Sequence, residues 1–289
     1  MGIVGLDGAE LPDRCRVRAW SPAVEGIAEV FHAEIVDYHY PAHCHDTWTV
    51  LIVDVGAIEY DLDRRHRGAE SSTVAVLPPG VVHDGRPATG VHGFRKRNLY
   101  LDQQFLPDHL IGPAVEAATI RDAGLRQAIS QLHRTLSAPG DELDGEGRLA
   151  LIGERIRAHL ARMPAGRAPG AEPGVAHQLR ELLDGRVTAK VTLAEAAGLL
   201  DRSVPHLVRS FTREYGVAPH AYVTGRRIDL ARRLLLDGRP PAEVAIEVGF
   251  YDQAHLNRHF RRHLPVPPAA YARGHLAAEP EPTATTTVR

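Results

Sequence analysis

Apolar positions recur along this chain with two different periods. From residue 16 to about 105 they fall in short runs rich in β-branched and aromatic residues, such as FHAEIVDYHY and TWTVLIVDV. GAIEYDLD alternates strictly, placing Ile58, Tyr60 and Leu62 on one face and Glu59, Asp61 and Asp63 on the other. That is the two-residue repeat of a half-buried strand. TVAVLPPG closes a further strand at a Pro-Pro-Gly turn, and FRKRNLYLD follows. Many short strands between Gly and Pro turns predict a small barrel or sandwich.

The period then lengthens. Residues 121–137 read as helix, and in 143–163 the residues Leu149, Ile152, Ile156, Leu160 and Met163 step by three and four along a narrow stripe. Such a stripe suits a helix packed on its own barrel or the seam of a coiled-coil-type dimer. MPAGRAPGAEPG, residues 163–174, blocks helix and strand alike and reads as a linker. Short helices are expected from there to 275, followed by a tail, LAAEPEPTATTTVR, with almost nothing to bury.

Composition narrows the setting. A chain of 289 residues with 44% apolar content has room for two packed domains. Its two cysteines, Cys15 and Cys44, provide neither a disulfide framework nor a multi-cysteine zinc site, which points to a reducing cytoplasm. The start, MGIVGLDGAELPD, lacks the basic and apolar regions of a signal peptide. No apolar run is longer than the four residues 50–53, so no membrane span is expected. The net charge of −2 conceals an asymmetry: residues 1–140 hold 13 Lys/Arg against 18 Asp/Glu, whereas residues 186–275 hold 14 against 8, with six histidines besides. An acidic half joined to a basic half suits a chain of which one part meets an anionic polymer.

A repeat sharpens this. PHLVRSF (205–211) and AHLNRHF (254–260) share H-L-x-R-x-F with every matching residue offset by 49 positions. Upstream of the first lies TLAEAAGLLDRS, with small Ala196 and Ala197 on a short helix and Ser203 placed to cap the next. Upstream of the second lies PPAEVAIEVGFYD, where Val244, Ala245 and Val248 form a helix face, Gly249 permits a left-handed turn and Asp252 can cap. Each unit therefore reads as a helix-turn-helix. Leu207 and Phe211, like Leu256 and Phe260, share an inner face at i and i+4, while Arg209 and Arg258 lie about 200° round the helix and point outward. An outward arginine on such a second helix can bond guanine O6 and N7 in the major groove. Between the units, PHAYVTGRRIDLARRLLLDG (219–238) has an inner face of Tyr222, Ile228, Ala231 and Leu235. As a helix over 220–236 it would span roughly 25 Å, a strut able to set two recognition helices about one DNA turn, roughly 34 Å, apart.

Over about residues 175–273 these motifs resemble the AraC/XylS-type bacterial transcription regulators. The run AEVAIEVGFYDQAHLNRHFRRHLPVPPAAY, ending in Pro268 and Tyr271, carries the resemblance most specifically. The resemblance implies a first recognition helix starting near Ser203, with base-facing positions at Pro205, Val208 and Arg209. It implies Gln253, Ala254 and Arg258 in the second helix, with His255 and Asn257 beside them. His206, Arg213 and Arg261 complete the expected DNA-binding set. Pro205 and Val208 cannot hydrogen-bond a base edge, which leaves direct readout in the first unit to Arg209. Arg202 departs from the family pattern at a turn position usually apolar. Arg226, Arg227, Arg232 and Arg233 on the strut are candidate backbone contacts.

PAHCHDTW (41–48) and LPPGVVHDG (77–85) resemble, more weakly, the two cupin motifs. His43 and His45 alternate onto one side of a strand, and His83 can form a third corner of a metal site. Metallo-cupins usually add a glutamate four or five residues after the second histidine, where this chain has Thr49 and Val50. No metal and no cofactor is therefore expected, with these three histidines as the candidates if one binds. A metal-free effector pocket lined or rimmed by His43, His45, Trp48, Tyr60, His83 and Arg95 is the first expectation.

The resulting expectation is an α+β chain. A cupin-like effector-binding β-barrel (1–120) is followed by a helical dimerisation or connecting region (121–163), a linker (164–174), an all-α tandem helix-turn-helix domain (175–275) and a disordered tail (276–289). Its function would be effector-controlled binding of promoter DNA, as a cytoplasmic homodimeric activator with RNA polymerase as a further partner and no catalytic residues. Two alternatives remain open. One is a metal-dependent cupin enzyme, which leaves the basic repeat unexplained. The other is a constitutive DNA binder whose barrel only dimerises.

Overall fold

The computed structural model describes residues 15–137, 140–162, 174–189 and 192–273, and the backbone of 3–4 and 10–11. Met163, the rest of the linker up to residue 173, and the tail from 274 lie outside the described residues.

The β-branched runs form strands as expected. β1 (Ile3–Val4) and β2 (Glu10–Leu11) make a short antiparallel pair. The remaining strands are β3 (Arg16–Trp20), β4 (Ile27–Val36), β5 (Tyr40–His43), β6 (Trp48–Leu62), β7 (Arg65–Glu70), β8 (Val74–Leu77), β9 (His83–Pro87), β10 (Gly93–Leu101) and β11 (Thr119–Ile120). They form one nine-stranded sheet in the order β11-β8-β6-β10-β4-β3, with β7 and β9 on β6, and β5 on β9. Among the described residues no pairing joins β3 to β11, so the sheet is open rather than a closed barrel.

β6 organises this sheet. Its first half pairs with β8 and its second half with β7 and β9. Between the halves the register against β10 slips, with Arg95 opposite Val55 but Lys96 opposite Val53. Gly56 sits there at φ +75, and a Cβ on it would lie 2.3 Å from the Gly93 carbonyl oxygen, so only glycine fits. The bulge reverses which side chains face which core. Before it, Trp48, Val50 and Ile52 face one core and Leu51 and Val53 the other; after it, Ile58, Tyr60 and Leu62 join Leu51 and Val53.

Helices cover one face of the sheet. α1 (Ile111–Glu116), α2 (Ala123–Thr135) and α3 (Glu142–Leu160) follow β10, with β11 between the first two. Leu149, Ile152, Ile156 and Leu160 of α3 are buried against Trp48, Val50, Ile52, Leu125 and Ile129. From Leu149 to Leu160 the α3 stripe therefore packs on its own domain, against the sheet.

The C-terminal helices are α4 (Val175–Asp184), α5 (Leu193–Leu199), α6 (Val204–Tyr215), α7 (Pro219–Leu236), α8 (Pro241–Glu247), α9 (Gln253–His263) and α10 (Pro268–Arg273). α5–α6 and α8–α9 are the two helix-turn-helix units, and α7 is the helix between them. Thr192 and Glu195 close α5 with a capping box, while Ser203 caps α6 and Asp252 caps α9. The left-handed turn residues are Asp201 in the first unit and Gly249 in the second. These are 48 positions apart although the recognition helices keep an offset of 49, so the second turn is one residue longer.

The sequence did not foretell how the halves meet. Phe31, Tyr40, Leu51, Phe94 and Tyr100 from the sheet share one continuous core with Ile228, Ala231 and Leu235 of α7, Phe260 of α9 and Leu264 just after it. The second helix-turn-helix unit is docked onto the open face of the sheet.

Candidate functional site

In both recognition helices the apolar pairs are fully buried, Leu207 and Phe211 in α6 and Leu256 and Phe260 in α9. The alternate face is left to solvent. Ser203, Pro205, His206, Arg209 and Arg213 are exposed and Val208 half-buried. In the second unit Gln253, Ala254, Arg258 and Arg261 are exposed, with His255 and Asn257 half-buried. Arg202 is exposed too, its guanidinium donating to the Asp201 carbonyl at 2.7 Å.

The strut arginines lie elsewhere. Arg232 is buried and donates to Glu29 of β4 at 2.7 Å. Arg226 and Arg233 reach Asp46 at 3.5 and 3.0 Å. Arg227 donates to the carbonyls of Val187, Ala189 and Gly249. The expectation that these four contact phosphates is corrected: three bind the N-terminal domain and one ties α7 to neighbouring backbone. The inward face of α7 was legible in sequence, but a charged surface facing it was not.

Between the domains lies a cavity lined by His43, His45, His83, Tyr60, Lys96, Asn98 and Tyr100 from the sheet and by Gly225, Asp229, Arg232 and His263 from the helices. It encloses about 60 Å³, where one water needs ~10–15 Å³ on the same measure. A few waters, or an ion with a small ligand, would fill it.

Of the six pocket residues expected from sequence, His43, His45, Tyr60 and His83 line this cavity, and Trp48 and Arg95 do not. Trp48 lies in the opposite core, donating its indole N–H to the Gln103 carbonyl at 3.2 Å. Strand alternation accounts for it, because Thr49 and Leu51 face the cavity before the bulge while Ile58 and Tyr60 face it after. Arg95 points away from the cavity and pairs with Glu34 at 2.8 Å. Its neighbour Lys96 points in, on the same parity as Phe94, Asn98 and Tyr100. That alternation was visible in FRKRNLYLD and names Lys96 as the inward cation. Nothing in the linear sequence marked Asp229, Arg232 or His263, since only docking brings α7 and α9 to the cavity.

The three histidines meet closely. β5 and β9 pair His43 directly with His83, and the ring centroids of His43, His45 and His83 lie 4.6, 4.8 and 5.2 Å apart. Each ring is held through Nδ1: His43 by the Pro41 carbonyl at 2.7 Å, His83 by the Val81 carbonyl at 3.1 Å, and His45 by the Asp229 carboxylate at 3.1 Å. A carbonyl or carboxylate only accepts, so each Nδ1 carries the proton and each Nε2 keeps its lone pair. Burial, reinforced by the neighbouring imidazoles, pushes His43 and His45 well below the usual histidine range. Burial also takes His83 down to about 4 and Lys96 down to about 7. The cluster is therefore a set of neutral imidazoles.

Beside it, Arg232 donates to Glu29 and to the Tyr271 hydroxyl, and Tyr271 also hydrogen-bonds Glu29. Burial opposes the charge on Arg232, but Glu29 and its other partners outweigh it and hold the guanidinium protonated.

Comparison with known proteins agrees with this two-part build. A helix-turn-helix domain pattern matches residues 193–274, and an AraC-like ligand binding domain pattern matches residues 26–152. The chain belongs to the AraC-type family. This AraC-type chain is 28% identical over 132 residues to the uncharacterized HTH-type transcriptional regulator YbfI of Bacillus subtilis, covering 46% of this chain and 48% of YbfI. It is 28% identical over 90 residues to the probable transcriptional regulator LumQ of Photobacterium leiognathi, covering 31% of this chain and 36% of LumQ. The matched stretches thus span about half, or less, of these curated relatives. In fold it is similar to ToxT from Vibrio cholerae, with a TM-score of 0.55 at 12% identity, covering 90% of this chain and 98% of ToxT. ToxT with an unsaturated fatty acid bound gives a TM-score of 0.52 at 14% identity, covering 92% of this chain and 97% of that one.

Proposed function

We propose that this AraC-type chain is a transcription regulator that binds promoter DNA through α6 and α9, under the control of a small molecule held between its domains. The observation that carries this is the pair of buried-and-exposed recognition helices. Each seals its Leu and Phe inward and leaves an arginine, Arg209 or Arg258, free in solvent. Their DNA-facing surface comprises the exposed residues of 203–213 and 253–261. The cavity supplies the control. Its wall is mainly the N-terminal domain, closed by Gly225, Ile228, Asp229, Arg232, His263 and Leu264 of the DNA-binding domain, so a ligand there binds docked and undocked states unequally, which is the condition for switching. The regulator acts in the cytoplasm as a homodimer, contacts RNA polymerase as an activator, and catalyses no reaction.

The test is binding of the full chain to its own upstream DNA across a salt series. Affinity should fall steeply with salt as phosphate contacts release counterions. Salt-independent binding, or none at low ionic strength, would refute the reading. Sedimentation of the same preparation tests the homodimer.

A further inference from the structure

We propose that Lys96 captures a small aldehyde in the inter-domain cavity as a Schiff base. This rests on the regulator reading above and assigns a chemical class to what the cavity takes. The chain's 34 Lys and Arg residues include two lysines, Lys96 and Lys190, and the rest are arginine. One of the two lysines is thus the cation that β10 turns into the cavity. The two residue types are not equivalent there. A guanidinium stays charged, whereas a desolvated lysine beside another cation gives up its proton and becomes a nucleophilic amine.

The geometry meets that condition. Lys96 is 8% exposed, and its Nζ lies 4.2 Å from the Tyr40 ring centroid, with those of Phe31 and Phe94 at 5.8 and 5.7 Å. Among the described residues it makes no hydrogen bond and no ion pair. The carboxylates lining the same cavity are engaged elsewhere: Asp84 accepts from the Asp61 backbone N–H at 2.7 Å and Asp229 from His45 at 3.1 Å. Arg232, held protonated by Glu29, adds a like charge to the cavity wall. Burial first and Arg232 second bring the Lys96 amine down to about 7. Near neutral pH about half of it is free base, against fewer than ~1 in 1,000 for an ordinary lysine.

The Nζ lone pair adds to the carbonyl carbon and forms the C–N bond. Both amine protons then leave with the carbonyl oxygen as one water, and a C=N bond remains, so no oxidant or reductant is needed. The unprotonated Nε2 atoms of His43, His45 and His83 line the same cavity and can relay those protons. At ~10–15 Å³ for each water-sized group, the 60 Å³ of the cavity holds about four to six non-hydrogen atoms. That is the size of a short-chain aldehyde, and Leu51, Ile58 and Ile228 in the wall suit its alkyl part. Lys96 belongs to the sheet and Ile228 to α7, so the adduct fills a space that only the docked arrangement closes.

The experiment incubates the full chain with limiting propanal at neutral pH, reduces it with borohydride, and maps the peptides by mass spectrometry. Reduction fixes an imine as a propyl group on the nitrogen that carried it. The expected result is one propyl group per chain, on Lys96, at least ~100-fold ahead of Lys190. K190R leaves the α-amino group as the one competitor and should label like wild type. K96R keeps the positive charge and should lose the label. Total labelling of K96R equal to wild type, or wild type labelled first at Lys190 or the α-amino group, overturns the proposal. Should K96R fail to fold, the wild-type map decides alone. A thermal shift with propanal that leaves no propyl group after reduction marks a non-covalent occupant and also overturns it. DNA binding is measured on the same preparations. Propanal should change the affinity of wild type, but not of K96R, for the upstream DNA; no change in wild type overturns the aldehyde as effector. A chain that binds DNA but takes no label removes this proposal and keeps the regulator; one labelled at Lys96 that binds no DNA does the reverse.

Discussion

The contact between the domains includes the buried set Glu29, Arg232 and Tyr271, and E29Q tests its share directly. Glu29 and Arg232 are each about 4% exposed in their side chains, with 2.7 Å between Oε1 and the guanidinium. The glutamine keeps the shape and removes the charge, leaving a buried guanidinium with no anion at that end. Breaking one partner of a buried pair typically costs about 3–5 kcal/mol, and about 1.4 kcal/mol is a factor of ten in an equilibrium. Because the pair spans two domains, the chain has an escape that a pair within one domain lacks: undocking hydrates Arg232 without unfolding either part. E29Q should therefore shift the docked–undocked balance by roughly two to three orders of magnitude, up to the whole docking free energy. Hydrogen exchange is the assay. Amides of α7, α9 and β4 facing the shared core should lose protection in E29Q, while those of α2 and α3, which pack on the other face of the sheet, should not. E29L/R232M, which removes both charges, should recover most of the protection, since buried pairs replaced by apolar groups are often no less stable. Protection in E29Q equal to wild type, or a double variant worse than either single one, would refute the account.

Further outcomes follow from other parts of the molecule. R209A and R258A should each weaken binding to the specific site more than to random DNA, by about 1–3 kcal/mol of discrimination as measured by competition binding; equal losses on both would reduce these arginines to phosphate contacts. His32, whose ring lies 3.1 Å from His133 by hydrogen bond, is lowered from 6.5 to about 4, first by burial and then by Arg97 and Arg18. The unfolded chain gains this proton below pH 6.5 and the folded chain only near 4, so stability should fall as pH drops through that window. The loss is at most about 3 kcal/mol, and urea midpoints at pH 7 and 5 should show a shallower decline for H32Q. G249A should destabilise the second helix-turn-helix unit by over about 1 kcal/mol, because at φ +89 its new Cβ would lie 2.7 Å from the Thr188 carbonyl. A melting temperature unchanged from wild type would contradict this.

What the sequence by itself determined was local or periodic. Alternation in GAIEYDLD, the i, i+4 pairs of Leu207/Phe211 and Leu256/Phe260, the caps Ser203 and Asp252 and the turn at Gly249 all depend on neighbours a few positions away. So did the outward placement of Arg209 and Arg258, which follows from helix pitch once the buried pair is known. The convergence of His43, His45 and His83 was also legible, because two short motifs on paired strands suffice to bring them together. The tertiary structure alone decided matters that depend on what lies opposite. The bulge at Gly56 reversed the parity of β6 and sent Trp48 to the other core. The sheet under α3 claimed the stripe that would equally have served a dimer. The acidic face around Glu29 and Asp46 drew Arg226, Arg232 and Arg233 away from DNA, and the docking of α7 delivered Asp229 to His45. The physical reason is common to all four. Periodicity states which side of an element is apolar or charged, but the free energy of burying that side is a property of two surfaces, and the second is chosen only when the chain folds back on itself.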